Sequence, residues 1–252
     1  MITIKSEREI ELMRHAGHLV SEMHQFIKPY IKEGISTYEL NELCDKFIRD
    51  HDAIPTCVGY EGFPSALCTS VNDVVVHGIP NKNVILKNGD IITIDVVIGY
   101  KGYQGDAAWT YAVGEVDDDK KYLMEHTEKA LLEGLKMVKP GNKIGDISAA
   151  VQEYAESHNL GVVRELCGHG IGSSMHEAPE VCNYGIPHTG PTLKPGMTIC
   201  IEPMLTFGKR YVYMEDDGWT VRTQDHSPAA HYEHTILVTE DGYEILTPRL
   251  DN

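Results

Sequence analysis

The sequence is poor in positive charge and has no long apolar run. It carries 22 lysines and arginines against 38 aspartates and glutamates, a formal charge of -16. Tight binding to a nucleic-acid backbone is therefore not expected as the main activity. No apolar stretch reaches the about 20 residues that cross a bilayer, and the first residues lack the apolar segment of a secretion signal. We expect a soluble cytoplasmic protein with no membrane partner and no specific nucleic-acid partner.

The cysteines also lack a recognisable pattern. The six cysteines include no C-x-x-C pair, which argues against a zinc ribbon or a redox motif. A chain of 252 residues can bury a substantial core and does not need disulfides to hold its fold. We expect reduced, unpaired cysteines.

Several catalytic motifs are incomplete. Residues 168–172 are rich in glycine but lack the dinucleotide-binding spacing. His176-Glu177 resembles the start of a zincin helix, yet the second histidine is missing and Pro179 would break the helix. There is no Gly-x-Ser-x-Gly elbow and no cysteine with an evident base. If the protein is a hydrolase, a water molecule activated by a bound metal ion is a simpler nucleophile than a protein side chain.

Helix signals open each half of the chain. Ser6 with Glu9, and Ser36 with Glu39, form capping boxes ahead of apolar positions at helical spacing, and the first of these helices is expected to stop before Pro29. A third helix is expected from Asp117 to the Pro-Gly pair at 140–141, and a fourth over 147–158. The third helix should bury one apolar stripe, formed by Leu123, Leu131, Leu132, Leu135 and Val138. Short β-branched runs bounded by turns after Pro55 predict strands.

The chain repeats itself. Residues 86–95 and 193–202 agree at Leu, Lys, Gly and two Ile, and each run ends in an acid, Asp95 and Glu202. A His-Gly-Ile triplet precedes each run, at 77–79 and 169–171, so His77 is expected to correspond to His169.

The helical parts repeat as well. A Lys-Pro-x-x-Lys-x-Gly motif at 28–34 returns at 139–145, and a further acid follows each repeated strand, Asp106 and Glu233. We predict one domain over 1–252, with halves of about 1–113 and 114–252. The fold class is α+β, with two helix-helix-strand halves that share a curved, mainly antiparallel sheet.

The repeated acids predict a metal centre. Carboxylates placed in apolar strands are too costly to bury without a compensating cation. The candidate ligands are four carboxylates and one imidazole, contributed by Asp95, Asp106, His169, Glu202 and Glu233. Four negative charges favour two divalent ions over one, and a mixed oxygen and imidazole shell suits Mn, Fe, Co or Zn without selecting among them.

These residues resemble the five-ligand signature of type I methionine aminopeptidases. The resemblance covers almost the whole chain and rests on Asp95, Gly105-Asp106-Ala107, residues 168–172, Glu202-Pro203 and Glu233-His234. It implies the pita-bread fold and removal of the initiator methionine when the second residue is small. It further implies that Asp106 and Glu233 bridge two ions, that Asp95 completes one site, and that His169 with Glu202 completes the other. A hydroxide bridging the ions would attack the scissile carbonyl.

The same resemblance implies roles for residues around the ions. Glu202 is the candidate acid/base, and His77 and His176 are expected to contact the scissile peptide. His231 stands where the family often has Gln. The methionine side chain is expected to bind among sulfur-containing and aromatic residues, namely Cys57, Tyr60, Phe63, Cys68, Met175 and Trp219. Met175 departs from the aromatic residue common in relatives.

Three alternatives stay open beside this interpretation. Aminopeptidase P and prolidase relatives use similar ligands but carry an additional N-terminal domain, and type II methionine aminopeptidases carry a helical insertion in the second half. A non-catalytic peptide-binding member of the fold would be expected to lose ligands, and none is lost. We expect a monomer whose partner is the N-terminal methionine of nascent polypeptides, with at most a transient contact to the ribosome.

Overall fold

A computed structural model describes residues 1–250 of the chain. Its four α-helices come in two pairs, one in each half, with bounds α1 Glu7–Ile27, α2 Thr37–Asp50, α3 Asp118–Leu135 and α4 Ile144–Ser157. A 3-10 turn, Lys28–Tyr30, follows α1. None of these helices is both long enough and apolar enough to cross a membrane.

Strands fill the space after each helix pair. In the first half they are β1 Ile54–Pro55, β2 Cys68–Val71, β3 Val74–Val76, β4 Ile91–Tyr100 and β5 Tyr103–Ala112. The second half begins its strands with β6 Gly161–Val162, β7 Gly168–Gly170, β8 Glu177–Val181, β9 Thr198–Ile201 and β10 Met204–Thr206. It ends with β11 Val212–Met214, β12 Val221–Thr223, β13 Ala229–His231, β14 His234–Val238 and β15 Tyr243–Ile245.

The strand pairs between these elements are antiparallel. β4 pairs with β5 along one edge and with β2 and then β1 along the other, and the second half has the order β15-β14-β9-β7-β8. Two smaller ladders, β13-β10-β6 and β11-β12-β3, complete the sheet regions. Polar contacts join β5 to the second half, since Glu233 N–H donates to the Ala108 carbonyl (2.7 Å) and Asp106 N–H donates to Thr235 Oγ1 (3.0 Å). The α+β class predicted from the sequence is confirmed.

Local capping explains where the first two helices begin. Ser6 and Ser36 each accept a backbone N–H from the residue three positions on, and Glu9 and Glu39 reach back to the cap backbone, as the capping boxes predict. Helix α3 begins after Asp117, whose side chain accepts the Lys120 N–H. One residue of its predicted apolar stripe is misplaced, because the Leu132 side chain is 46% exposed and points away from the core.

The two halves of the structure correspond to each other at a fixed displacement along the chain. Helices α2 and α4 both contain 14 residues and begin 107 positions apart, at Thr37 and Ile144. The residue before each helix, Ser36 or Lys143, makes the bridge to the segment that leads into the acid-bearing strand. The same displacement relates residues 86–95 to 193–202. A single displacement of 107 residues therefore relates both the second helix and the acid-bearing strand of one half to those of the other.

The sequence motif ahead of these helices is one turn out of step with the fold. The Lys-Pro-x-x-Lys-x-Gly segments are 111 positions apart (139 against 28), four more than the structural repeat. Gly34 precedes α2 with a φ of +92°, whereas Gly145 lies inside α4. The fourth helix was predicted to begin at about Ile147, three residues after its observed start at Ile144.

Strand pairing also separates the two His-Gly-Ile triplets. Gly170 of β7 pairs with β9, and Val71 of β2 pairs with β4, at partner positions 107 residues apart (199 against 92). His169 therefore corresponds to Ser70 in the first half. The expected correspondence with His77 is wrong, because His77 follows β3 in a left-handed conformation, φ 59°.

One pair of cysteines is bonded. Cys167, next to β7, and Cys182, next to β8, form a disulfide across these paired strands. The expectation that every cysteine is unpaired was wrong, since strand pairing brings together two residues 15 positions apart in sequence. The free cysteines are all buried, namely Cys44, Cys57, Cys68 and Cys200.

Candidate metal centre

A cavity of about 660 Å³ lies where the two halves meet, and the predicted site residues line it. The five predicted ligands share it with the residues expected to touch the substrate. Its lining includes Cys57, Tyr60, Phe63, Cys68, His77, Asp95, Asp106, His169, Met175, His176, Glu202, Trp219, His231 and Glu233. Folding therefore collects residues that are up to 176 positions apart in the chain (233 against 57).

The first half places its two acids on the β4–β5 hairpin. Asp95 pairs with Ala108, and Asp106 pairs with Val97. Paired residues lie on the same face of a sheet, and so do residues two apart along a strand. Asp95 and Asp106 are therefore diagonal neighbours on one face of the hairpin.

The second half places its two acids where strands stop. Glu202 follows the last residue of β9, and Glu233 lies in the break between β13 and β14. Ile201 pairs with His234, so the two breaks face each other across the ladder. Both carboxylates are thereby directed out of the ladder and into the cavity.

His169 is held with one nitrogen free for a ligand. Its Nδ1 lies 2.9 Å from the Gly170 carbonyl oxygen, to which it donates. Its Nε2 lies 3.5 Å from Glu202 Oε1 and 3.7 Å from Asp106 Oδ2. Burial, with His176 nearby, lowers the His169 pKa to about 4. The imidazole is neutral at pH 7, as a metal-binding imidazole must be.

The acids carry strongly shifted pKa values in the absence of a cation. Burial raises the pKa of Asp106 and of Glu233 well above the ordinary range, and the neighbouring carboxylates raise both pKa values further. The pKa of Glu202 is raised well above its ordinary value by burial and then by Asp95. Burial raises the pKa of Asp95 too, against a lowering effect of His231. A divalent cation would reverse these shifts and keep the group ionised.

The residues fit a metal. Within residues 1–250, Asp106 Oδ1 and Glu233 Oε1 are buried without a hydrogen-bond partner, which is costly for a charged oxygen unless a cation binds it. Two sets of donor atoms each lie within 4.8 Å of one another and share Glu233. These sets are Asp106, His169, Cys200 and Glu233, and Glu202, His231 and Glu233.

Two members of these sets, Cys200 and His231, were not among the ligands predicted from the sequence. Each stands two positions before an acid, Glu202 or Glu233. Residues two apart on a strand share a face, so spacing could have identified Cys200 as a neighbour of the site. The sequence also drew attention to His231, where the family often has Gln, but as a residue of the pocket and not as a ligand; a break in the strand separates it from Glu233.

An apolar pocket adjoins the acids. Cys57, Phe63, Cys68, Val97 and Met175 form one buried cluster, and Tyr60, Ile79 and Trp219 pack against it. The rings of Phe63 and Trp219 meet edge to face at 5.1 Å. Every residue predicted for the methionine pocket is therefore in or against this cluster.

His176 and His77 stand between the pocket and the acids. The His176 ring meets the His169 ring edge to face at 4.3 Å, and its Nδ1 lies 2.8 Å from the Tyr60 hydroxyl. Burial lowers the pKa of His176 and brings that of His77 to about 4. Both imidazoles are neutral at pH 7. Residues 177–181 form strand β8, which agrees with the rejection of a zincin helix.

Comparison with known proteins decides the family. The model of metallopeptidase family M24 matches residues 11–240. The chain belongs to metallopeptidase family M24. Membership of a metallopeptidase family implies bound divalent metal, which agrees with the donor sets described above.

Relatives of this M24 member resemble it along their whole length. It is 50% identical to methionine aminopeptidase 1 of Bacillus subtilis (strain 168) over 247 residues, which is 98% of this chain and 99% of the relative. The crystal structure of methionine aminopeptidase from Rickettsia prowazekii superposes with a TM-score of 0.97 at 47% identity, covering 98% of this chain and all of the other. The resemblance found in the sequence is confirmed.

A more distant structure shares the fold. An Xaa-Pro dipeptidase from Bacillus anthracis superposes with a TM-score of 0.77 at 24% identity, over 99% of this chain and 63% of that one. At this identity the similarity shows the fold alone. The pita-bread architecture named in the resemblance is thus common to both groups.

Proposed function

We propose that this M24 peptidase removes the N-terminal methionine from nascent proteins and peptides whose second residue is small. The observation that carries the proposal is a single cavity in which a buried acid cluster adjoins a pocket of cysteines, methionine and aromatic rings. An apolar, sulfur-tolerant pocket suits a thioether side chain. The names of the full-length relatives support the same substrate, and the resemblance to type I enzymes supports the small second residue.

Two divalent ions of the Mn, Fe, Co or Zn class are proposed as the cofactors. Asp106 and Glu233 would contact both ions, Asp95 would complete one site, and His169 with Glu202 would complete the other. When bound, the ions supply an activated water and polarise the scissile carbonyl.

The side chains around the ions hold the substrate and move the proton. Glu202 is placed to take up a proton and return it, since its carboxylate lies in the donor set at the centre, with Oε1 3.5 Å from Nε2 of His169. The Tyr60 hydroxyl lies 2.8 Å from Nδ1 of His176; in the tautomer in which that hydroxyl donates, Nε2 of the ring carries a proton and can donate to the carbonyl oxygen as it becomes negative. His77, at the other side of the pocket beside Trp219, would hold the peptide in place (ring centroids 6.2 Å).

We also propose that the protein acts as a cytoplasmic monomer with at most a transient ribosome contact. Its net charge of -16 opposes binding to the phosphates of ribosomal RNA, so any contact with the ribosome should be weak. Cell fractionation, light scattering on the purified protein and co-sedimentation with ribosomes at two salt concentrations test the three parts separately.

The activity is tested with small peptides. Release of free methionine from Met-Ala-Ser is measured with Mn²⁺ or Co²⁺ added, after EDTA treatment, and after restoring the ion. An Xaa-Pro peptide serves as the competing substrate, because the Xaa-Pro dipeptidase has the same fold. We expect methionine release that EDTA abolishes and added metal restores. Turnover of the Xaa-Pro peptide alone, or full activity after thorough chelation, would contradict the proposal.

A further inference from the structure

His231 is a buried histidine whose ring has no hydrogen-bond partner. The residue ends β13 and is 1% exposed. Neither Nδ1 nor Nε2 has a partner within residues 1–250. Burying a polar group without a hydrogen-bond partner is energetically costly. Both nitrogens of this buried ring are therefore open to bind a ligand.

Two other buried histidines lie close by and are satisfied. His24 has both nitrogens within hydrogen-bond distance of protein oxygens, at 2.9 Å from the Tyr111 hydroxyl and 3.3 Å from the Ala107 carbonyl. His234 has its Nδ1 3.1 Å from Thr247 Oγ1. These two rings show how the fold accommodates a structural histidine. His231 is not accommodated in that way.

The unpartnered ring faces the acids. Nε2 of His231 lies 3.5 Å from Oε2 of Glu202, and the other oxygen of that carboxylate lies 3.5 Å from Nε2 of His169. The Glu202 carboxylate thus has an imidazole beside each oxygen. A distance of 3.5 Å is longer than an ordinary N–H···O hydrogen bond of about 2.7–3.2 Å. A separation of 3.5 Å between the imidazole nitrogen and the carboxylate oxygen is compatible with two ligand atoms that bind the same cation.

We propose that His231 is a metal ligand, which joins Glu202 and Glu233 as a second imidazole donor at this centre. These three residues offer donor atoms within 4.8 Å of one another. All three line the cavity, and the pairing of His231 with Met204 fixes the backbone position of the residue that carries the ring. The inference rests on the metal-dependent function proposed above and adds a ligand to it.

A second imidazole changes which metal the centre prefers. Nitrogen donors favour Fe, Co and Zn over harder ions, whereas carboxylates suit Mn. Exchanging His231 for an oxygen donor should therefore weaken Zn²⁺ more than Mn²⁺. If His231 merely positioned Glu202 through a hydrogen bond, its loss would weaken both ions alike, because both need the carboxylate.

The test compares His231→Gln with wild-type protein. Glutamine retains an N–H donor toward Glu202 but lacks the imidazole lone pair. Zn²⁺ and Mn²⁺ dissociation constants are measured by competition with a chelator, and the visible spectrum of the Co²⁺-loaded protein reports the donor set. We expect the Zn²⁺ constant to weaken by at least the about 10-fold that loss of an outer-shell partner causes, with a smaller change for Mn²⁺ and an altered Co²⁺ spectrum.

Matched controls separate the possible failures. His77→Gln removes another imidazole of the same cavity that belongs to neither donor set, and it should leave the ratio of the two metal constants unchanged. Equal losses of Zn²⁺ and Mn²⁺ affinity in His231→Gln, or no loss of either, with an unchanged Co²⁺ spectrum, would overturn the ligand assignment and leave the proposed function standing. Wild-type protein that binds neither ion would overturn the proposed function itself.

A direct measurement does not depend on the variant folding. In a crystal structure of the Zn²⁺-loaded wild-type protein we expect the His231 Nε2 at about 2.0–2.1 Å from an ion. A ring more than about 3 Å from both ions, donating to a protein or water oxygen instead, would rule out the ligand role.

Discussion

The two halves of the molecule hold their acids on different kinds of backbone. Asp95 and Asp106 lie within a continuous hairpin of two ten-residue strands. Glu202 and Glu233 lie at breaks between short strands. A strand interior fixes where a side chain points, so a short aspartate suffices there. A strand break leaves more room, and the longer glutamate side chain can cross it.

This difference also assigns different tasks to the halves. The first half contributes a regular platform and most of the apolar pocket, including Cys57, Phe63 and Cys68. The second half contributes both imidazoles that face Glu202, those of His169 and His231. Interrupted strands in one copy of a repeat thus allow functional groups that a regular hairpin excludes.

Removing one histidine from each half gives the sharpest test of this division. His169→Ala should weaken metal binding by more than the about 10–100-fold typical for an outer-shell partner. His77→Ala, in the first half, should retain metal and lower kcat by about 10²–10³-fold through loss of a substrate contact. Metal content of the purified variants, paired with kcat, separates the two. His176→Ala should behave like His77→Ala, and parallel losses of metal and turnover would refute its assigned role.

The disulfide should stabilise the second half. It closes a separation of 15 residues across β7 and β8, and a loop of that size is worth about 3 kcal/mol in the chain-entropy view. The free energy of unfolding, measured in urea, should fall by about that amount in Cys182→Ser. Wild-type protein kept in reductant is the control and should match the variant. No difference between oxidised and reduced protein would show that the bond contributes nothing to the fold.

The apolar pocket should distinguish side chains of similar size. A hydrophobic site separates such substrates by about 1–3 kcal/mol, so Met-Ala-Ser should have a kcat/KM about 10–200-fold above that of Leu-Ala-Ser. Met175 is the pocket wall supplied by the second half. Met175→Leu keeps the side-chain volume but removes the sulfur. It should reduce the ratio of kcat/KM for Met-Ala-Ser to that for Leu-Ala-Ser. Equal hydrolysis of both peptides by wild-type protein would count against this pocket as the methionine site.

The helix starts that depend on contacts between neighbouring residues could be predicted from the sequence. The capping boxes at Ser6 and Ser36 predicted two helix starts, because the bonds involved span three residues. The start of α4 was not predictable in this way. Lys143 provides no side-chain cap, and Asp146 holds this end by accepting N–H groups from Lys143 and from the distant His188.

Contacts set by long-range pairing were harder to predict. The acids could be found because Asp95 and Glu202 end the two copies of a recognisable repeat, and a further acid follows each copy. The Cys167–Cys182 bond depends on the register of β7 with β8, and the position of His231 depends on the pairing of β13 with β10. Neither register is written in a short sequence pattern. The two triplets look alike in sequence, yet only strand pairing shows that His77 and His169 occupy different positions.

Protons shared by the acids of the two halves should compete with metal. The pKa values of Asp106, Glu202 and Glu233 are raised, mainly by burial, so the metal-free site keeps protons above the ordinary carboxyl range and must release them when a cation binds. Mn²⁺ affinity should rise with pH by about tenfold (about 1.4 kcal/mol) per unit for each proton displaced. Calorimetry in two buffers of different ionisation enthalpy counts these protons. His169, with a pKa of about 4, should contribute none near pH 7, and an Mn²⁺ affinity that does not change with pH would contradict shared protons.

The helix caps should show the smallest contrast between the halves. Ser36 caps α2 through its hydroxyl, whereas Lys143, at the corresponding position before α4, has no capping side chain. Ser36→Ala should lower the free energy of unfolding by about 1 kcal/mol, and Lys143→Ser should raise it by up to a similar amount. Urea denaturation of both variants measures the pair. If Lys143→Ser were destabilising, the lysine would be making a contact that stabilises the fold more than a cap does. That contact would then explain why the Lys-Pro-x-x-Lys-x-Gly motif is displaced by four residues from the structural repeat.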